Sequence, residues 1–239
     1  MRIAMWSGPR NLSTAMMYSF GARRDFAVVD EPFYAAYLSL TGLDHPMRDD
    51  ILASQLTDPD EAIAGLLGPI PDGKPHFYQK HMSQHMIPGI ARDWIGAVTN
   101  VFLIRHPARV AASFSAKYEN PTLTDIGFVQ QLELYEQLKE MGEDPAVIDS
   151  GDIRRDPEGM LRNLCDEIAL QWDPAMLSWP KGGHPDDGVW AAHWYGAVHA
   201  STRFAPAEGG LPELTEAQEH LAKAAMPYYE PLYDLRVSA

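Results

Sequence analysis

Short apolar runs of strand length recur along this chain with helical stretches between them, and that alternation restricts the fold more than any other feature. Arg2 to Trp6 opens the series. Phe26 to Asp30 follows with Ala-Val-Val at its centre, then Pro75 to Lys80, Thr99 to Arg105 and Ala146 to Asp149. Val101-Phe102-Leu103-Ile104 is the clearest buried run of the set. Between the runs the pattern predicts helices over Ser13 to Ala22, Pro46 to Leu56, Asp58 to Leu67, Ser83 to Trp94 and Thr124 to Met141. Pro107 stands at the helix position where proline is best tolerated. Asp156-Pro157-Glu158 reads as an N-cap, first-turn proline and acidic first turn of a helix reaching Ile168. A last helix is expected near Glu216 to Met226. Strands separated by helices imply a parallel sheet covered on both faces, hence an α/β fold. A length of 239 residues fits one such domain spanning 1–239.

Composition narrows the partners. A formal charge of −14 gives the chain no general attraction for nucleic acid or for an anionic membrane, so neither is expected. No apolar run approaches the roughly eighteen residues of a membrane span, and the N-terminus does not have the layout of a signal peptide. The lone Cys165 precludes an internal disulfide and fits a reducing compartment. A soluble, cytoplasmic protein is expected, with a homo-oligomer left open. In so acidic a chain, an anionic ligand must be held by locally placed donors.

Ser7-Gly8-Pro9-Arg10-Asn11-Leu12-Ser13-Thr14 joins the first strand to its helix. A strand–loop–helix turn with hydroxyls at the helix start aims backbone N–H groups and the positive end of the helix dipole at one point. Arg10 adds a forked donor set suited to a tetrahedral oxyanion. A capped helix start with Arg10 in a surface ion pair would use the same residues. The loop is not a Walker A loop, because no lysine stands before Ser13-Thr14. Nucleoside triphosphatases usually place an aspartate at the end of a neighbouring strand to hold magnesium. Here the central strand ends in Arg105, which points to metal-free chemistry.

Arg105 lies at a carboxyl-end strand tip, where open α/β sheets bind ligands. Ser113 follows eight residues later, in Arg105-His106-Pro107-Ala108-Arg109-Val110-Ala111-Ala112-Ser113. A chain folding back from the strand could bring both side chains onto one phosphate.

Taken together, the two segments resemble the P-loop sulfotransferase superfamily. Its members carry a 5′-phosphosulfate loop of the form Pro-(Lys/Arg)-Ser-Gly-(Ser/Thr)-Thr and a 3′-phosphate motif of Arg and Ser eight residues apart. Pro9 to Thr14, and Arg105 with Ser113, match these in order. Trp6-Ser7-Gly8-Pro9-Arg10-Asn11-Leu12-Ser13-Thr14 and Leu103-Ile104-Arg105-His106-Pro107 are in the style of its sulfotransferase-like branch. The likeness spans residues 1 to about 180. It implies a three-layer P-loop fold and transfer of a sulfuryl group from 3′-phosphoadenosine 5′-phosphosulfate (PAPS) to a hydroxyl or amine of a small molecule. Donor-binding residues would be Gly8, Pro9, Arg10, Asn11, Leu12, Ser13, Thr14, Arg105 and Ser113. The family's loop glycine is Leu12 here, and leucine disfavours positive φ; either the loop is helical at Leu12, the favoured expectation, or donor binding is weakened. The competing readings are a nucleotide-binding module without acceptor chemistry and a P-loop kinase or phosphohydrolase.

Sulfuryl transfer needs a base and no metal. Glu31 directly follows the second strand in Asp30-Glu31-Pro32-Phe33 and should face the same crevice as Arg10. Several sulfotransferases use a glutamate before Pro-Phe as general base, which implies that role for Glu31. Capping of the following helix is the plainer alternative. The third strand ends Lys80-His81-Met82-Ser83-Gln84-His85. The resemblance gives Lys80 a contact to the transferring sulfuryl group and makes His85 the rival base, with Arg10 also at the reacting group. His81 and His85 are four apart, as in a zinc helix, but Met82 stands where that signature needs glutamate, so no metal is expected. In the C-terminal third, Lys181 or Arg203 could add the late cation that the family brings to the 3′-phosphate. Phe33, Tyr34, Tyr37, Trp190, Trp194 and Tyr195 could line an acceptor pocket or welcome a cationic acceptor.

Overall fold

The computed structural model describes residues 1–238. Five strands, β1 (Arg2–Ser7), β2 (Phe26–Asp30), β3 (His76–Met82), β4 (Thr99–Ile104) and β5 (Ala146–Asp149), form one sheet in the order β2-β3-β1-β4-β5. All neighbours run parallel. The connecting helices are α1 (Ser13–Gly21), α2 (Tyr34–Thr41), α3 (Arg48–Ser54), α4 (Pro59–Leu67), α5 (Pro107–Ser115), α6 (Phe128–Glu140), α7 (Ser150–Arg155) and α8 (Pro157–Glu167). The short α9 (Ala191–Trp194) and α10 (Gly196–His199) precede the terminal α11 (Glu216–Asp234).

Two apolar layers sandwich the sheet because successive strand side chains point to opposite faces. Ala4, Trp6, Phe102, Ile104 and Val147 belong to the core shared with α6 and α11. Ile3, Met5, Val101, Leu103 and Ile148 belong to the core shared with α1 and α8. Strands apolar on both faces can only sit in the middle of a three-layer stack. Full burial of a side chain the size of Met5 or Leu103 contributes about 1.5–3 kcal/mol.

Strand order decides where a ligand can sit. From β1 the chain moves to β2 and back to β3, then crosses β1 to reach β4 and continues outward to β5. The loops after β1 and β4 therefore leave in opposite directions. They open a crevice at the carboxyl ends of these two strands, the switch point at which open sheets bind ligands. Ser7 pairs in register with Leu103, so Gly8 and Arg105 begin the two lips of that crevice. Gln131 donates to the carbonyls of Trp6 and Leu103, both at 3.0 Å, and Asn11 donates to Leu103 at 3.2 Å, tying off the strand ends.

Several expectations need correction. The helix expected over Ser83 to Trp94 reduces to two short 3-10 turns, Ser83–His85 and Asp93–Ala97, since Pro88-Gly89 interrupts it. The helix expected from Thr124 starts at Phe128, behind Gly127 at φ 72°. The last helix continues past Met226 to Asp234 through Pro227 and Pro231, held by packing on α5 and α6. Four helices, α2, α7 and the short α9 and α10, were not expected. Leu12 is not helical: it is the N-cap of α1 at φ 75°, ψ 6°. The chain thus keeps the left-handed turn that glycine would favour, with leucine in it, at a cost of about 1–2 kcal/mol.

Candidate functional site

Three non-glycine residues at the crevice hold positive φ: Arg10 at 64°, Leu12 at 75° and Glu31 at 43°. Left-handed conformations in such residues persist only where surrounding contacts fix them. The first two shape the loop after β1, whose residues Pro9 to Thr14 line a cavity of about 360 Å³. Gly8 stands behind that wall. A β-carbon there would collide with the Ile126 carbonyl, so its glycine serves packing.

The two cationic motifs meet. Arg10 Nε donates to Ser113 Oγ at 2.9 Å, and Arg105 Nη1 donates to the Arg10 carbonyl at 2.5 Å. Burial, and then the neighbouring Arg105 charge, push the Arg10 guanidinium below its usual pKa. Two like charges are thus held together at the mouth of a helix N-terminus, an arrangement that favours an anion. Arg105 also pairs with Glu208, which accepts from Arg154 at 2.5 Å and lies 3.3 Å from Arg109 Nε. Three arginines, from the residue after β4 and from α5 and α7, thus converge on one carboxylate. Arg203 lines the cavity as an exposed side chain at its rim, whereas Lys181 is absent from the lining.

Deeper in, Lys80 is 1% exposed and spends its three protons on Asp30 Oδ1 at 2.7 Å, Glu31 Oε1 at 2.6 Å and the Tyr195 hydroxyl at 2.5 Å. Trp190 Nε1 donates to the same hydroxyl at 2.9 Å, and Tyr195 lies 2.9 Å from both Asp30 oxygens. The Gly188 N–H completes the Asp30 shell at 3.1 Å. Burial works against the Lys80 charge, but the two carboxylates overcome it and hold the ammonium above its usual pKa. Burial pushes Asp30 up to about 6, with Lys80 opposing the rise and Glu31 adding to it. Glu31 lines the cavity and receives its cluster contacts on Oε1, leaving Oε2 for a proton from outside. Gln55 fixes the turn by donating to the carbonyls of Asp30 and Glu31, both at 3.2 Å.

A family model described as a sulfotransferase domain matches residues 1–235. This chain belongs to the sulfotransferase family. The parallel sheet and its flanking helices are the P-loop sulfotransferase architecture, and a solved sulfotransferase from Alicyclobacillus acidocaldarius shares it. That structure gives a TM-score of 0.60 over 99% of this chain and 96% of its own, at 13% identity, a likeness of fold alone. Among curated proteins, the Branched-chain-amino-acid aminotransferase-like proteins 1 and 2 of Arabidopsis thaliana are 36% and 34% identical over 230 residues. The match takes in 96% of this chain but 41% of each relative, so it spans about two fifths of their length. Names drawn from proteins more than twice as long transfer no activity to the part shared.

The two histidines of the third strand's end part company. His81 stacks on Trp6 with ring centres 4.3 Å apart, inside the core, and burial drives its pKa down to about 3. His85 lines the cavity and stacks on Tyr34 at 4.7 Å and Tyr37 at 4.8 Å. Burial holds it well below its usual pKa, so it is neutral at pH 7. Of the aromatics expected at an acceptor pocket, Tyr34, Tyr37, Trp194 and Tyr195 line the cavity, while Phe33 and Trp190 are buried away from it.

Asp30, Gln55, His45, Asp125, Arg154 and Glu208 escaped the sequence reading. Asp30 had a signal, since it adjoins Glu31 at a strand tip. The others sit in segments with no motif, and only tertiary folding brings them to the cleft.

Proposed function

We propose that this protein is a PAPS-dependent sulfotransferase acting on a small molecule. The observation that carries the reading is the meeting of Arg10, Arg105 and Ser113, from two segments about a hundred residues apart, at one end of a single cavity. Pro9 to Thr14, with Arg10, would hold the 5′-phosphosulfate. Arg105 and Ser113 would hold the 3′-phosphate, with Arg203 at the rim. A phosphate arriving on Arg105 competes with the Glu208 carboxylate, and Arg154 and Arg109 are placed to follow the same negative charge.

Glu31 takes the acceptor proton as the acceptor attacks sulfur. The S–O bond to the 5′-phosphate breaks in line, and 3′,5′-bisphosphoadenosine departs with the electron pair. Lys80 keeps Glu31 oriented. Arg10 counters the charge gathering on the leaving phosphate. His85, neutral and walled by two tyrosines, is placed to contact the acceptor and is the second candidate for the proton.

Thermal-shift titration tests the donor. A ligand that binds only the folded state at a hundred times its Kd adds about 2.7 kcal/mol of stability. Bisphosphoadenosine without magnesium is expected to raise the melting temperature more than magnesium-ATP. Stabilisation by magnesium-ATP alone would instead favour a kinase or phosphohydrolase.

A further inference from the structure

Five aromatic side chains, Tyr34, Tyr37, Phe114, Tyr118 and Trp194, wall the cavity beside the arginine-bearing loops. Two carboxylates, Glu31 and Asp125, line the cavity with them, and Lys80 is already shared between Asp30 and Glu31. Asp125 accepts from the Thr122 backbone and hydroxyl through Oδ2 only, at 2.8 and 2.6 Å, and among the described residues it has no cationic partner.

His45 stands at the centre of this wall. Its ring meets those of Tyr34, Tyr37 and Tyr118 edge-on with centres 5.8, 6.1 and 5.7 Å apart, and Nδ1 lies 2.9 Å from the Tyr34 hydroxyl. Burial lowers the His45 pKa against the pull of Asp125 and Glu31, so it supplies no positive charge at neutral pH. The Asp125 charge also pushes the Tyr37 and Tyr118 phenols upward, after burial, which places that carboxylate within electrostatic reach of both rings.

Aromatic faces and an unpaired carboxylate attract a cation and repel an anion. Resting on the sulfotransferase reading above, we propose that the acceptor is an alcohol bearing an ammonium group, seated with its cation among Tyr37, Tyr118 and Asp125 and its hydroxyl at Glu31. The hydroxyl proton passes to Glu31, the new O–S bond forms as the S–O bond to the donor phosphate breaks, and the product is a zwitterion. Transfer therefore brings the net charge of the ligand to zero, and the new sulfate is repelled by the carboxylates of the cavity, which weakens the product's hold.

Choline and 3,3-dimethylbutan-1-ol test this, since they share a shape and differ in charge, and the choline charge does not titrate. Calorimetric titration of the full chain, with and without bisphosphoadenosine, is expected to give choline an affinity about tenfold or more above that of the neutral alcohol. Asp125→Asn should shrink that ratio severalfold, and Tyr118→Leu should weaken choline more than its neutral twin. Equal affinities, a tighter neutral alcohol, no binding of choline, or a ratio that both variants leave intact overturns the proposal. The two readings fail separately. Bisphosphoadenosine binding with no choline preference sinks the acceptor class alone, whereas choline selectivity with no bisphosphoadenosine binding sinks the donor assignment alone.

Discussion

The cationic wall of the cavity hangs on the tips of β1 and β4, whereas the aromatic wall comes from α2, the end of α5 and the stretch after it, and the short helix α9. Rigid strands fix the first. A register pair, Ser7 with Leu103, sets the distance between its lips, and short motifs place Arg10, Arg105 and Ser113 on them. The second wall is assembled from side chains with no fixed spacing, joined by ring contacts. Sheet-tip sites read phosphate geometry that does not vary, while loop and helix surfaces can vary with the acceptor and leave the scaffold intact. Between the walls the Asp30–Glu31–Lys80–Tyr195 cluster belongs to both, because Tyr195 reaches it from the C-terminal third.

The strongest test of that division is Glu31→Gln. Loss of the proposed base should slow turnover about 10²–10⁴-fold and leave bisphosphoadenosine affinity unchanged. Equal losses in both would merge the two walls into one unit. Next in size is Lys80→Met, which strands two carboxylates in the interior. Breaking a buried pair in this way costs about 3–5 kcal/mol near neutral pH. A carboxyl whose folded pKa lies above its unfolded value binds more protons when folded, so stability of this variant should recover as pH falls. Denaturant midpoints at several pH values measure this, and a loss that persists unchanged at low pH would count against the cluster.

A smaller effect separates the two candidate bases. In the intact protein kcat/KM should fall as pH drops through about 6, where Asp30 takes a proton and leaves Lys80 to Glu31 alone. His85 is already neutral there and should leave no inflection near 6.5. An acid limb that His85→Asn abolishes would hand the proton to His85.

The fold was largely legible because β1, β2, β4 and β5 carry apolar residues on both faces, and Phe26 to Asp30 and Ala146 to Asp149 run as expected. α2 was not: Tyr34-Ala35-Ala36-Tyr37-Leu38 is apolar on every side, so it carries no amphipathic stripe, and the helix is simply buried. Leu12 was misjudged because local propensity argues for a helix where the loop's geometry imposes a left-handed turn. At the site, Arg10, Arg105, Ser113 and Glu31 were visible through spacing and strand-tip position. Asp125 and Glu208 were not, since a lone acid in a loop reads as solvated surface until folding sets it beside three tyrosine and histidine rings or three guanidinium groups.

The claim on which all this rests is that Arg105 reads a phosphate at the far end of the same ligand whose other end lies on the loop after β1. Calorimetric affinities of 3′,5′-bisphosphoadenosine and adenosine 5′-phosphate, in the wild type and in Arg105→Ala, test it directly. A charged hydrogen bond of about 1.5–3 kcal/mol predicts a 3′-phosphate preference of roughly ten- to a hundredfold that collapses in the variant. A preference that survives the loss of Arg105, or none in the wild type, would contradict the account.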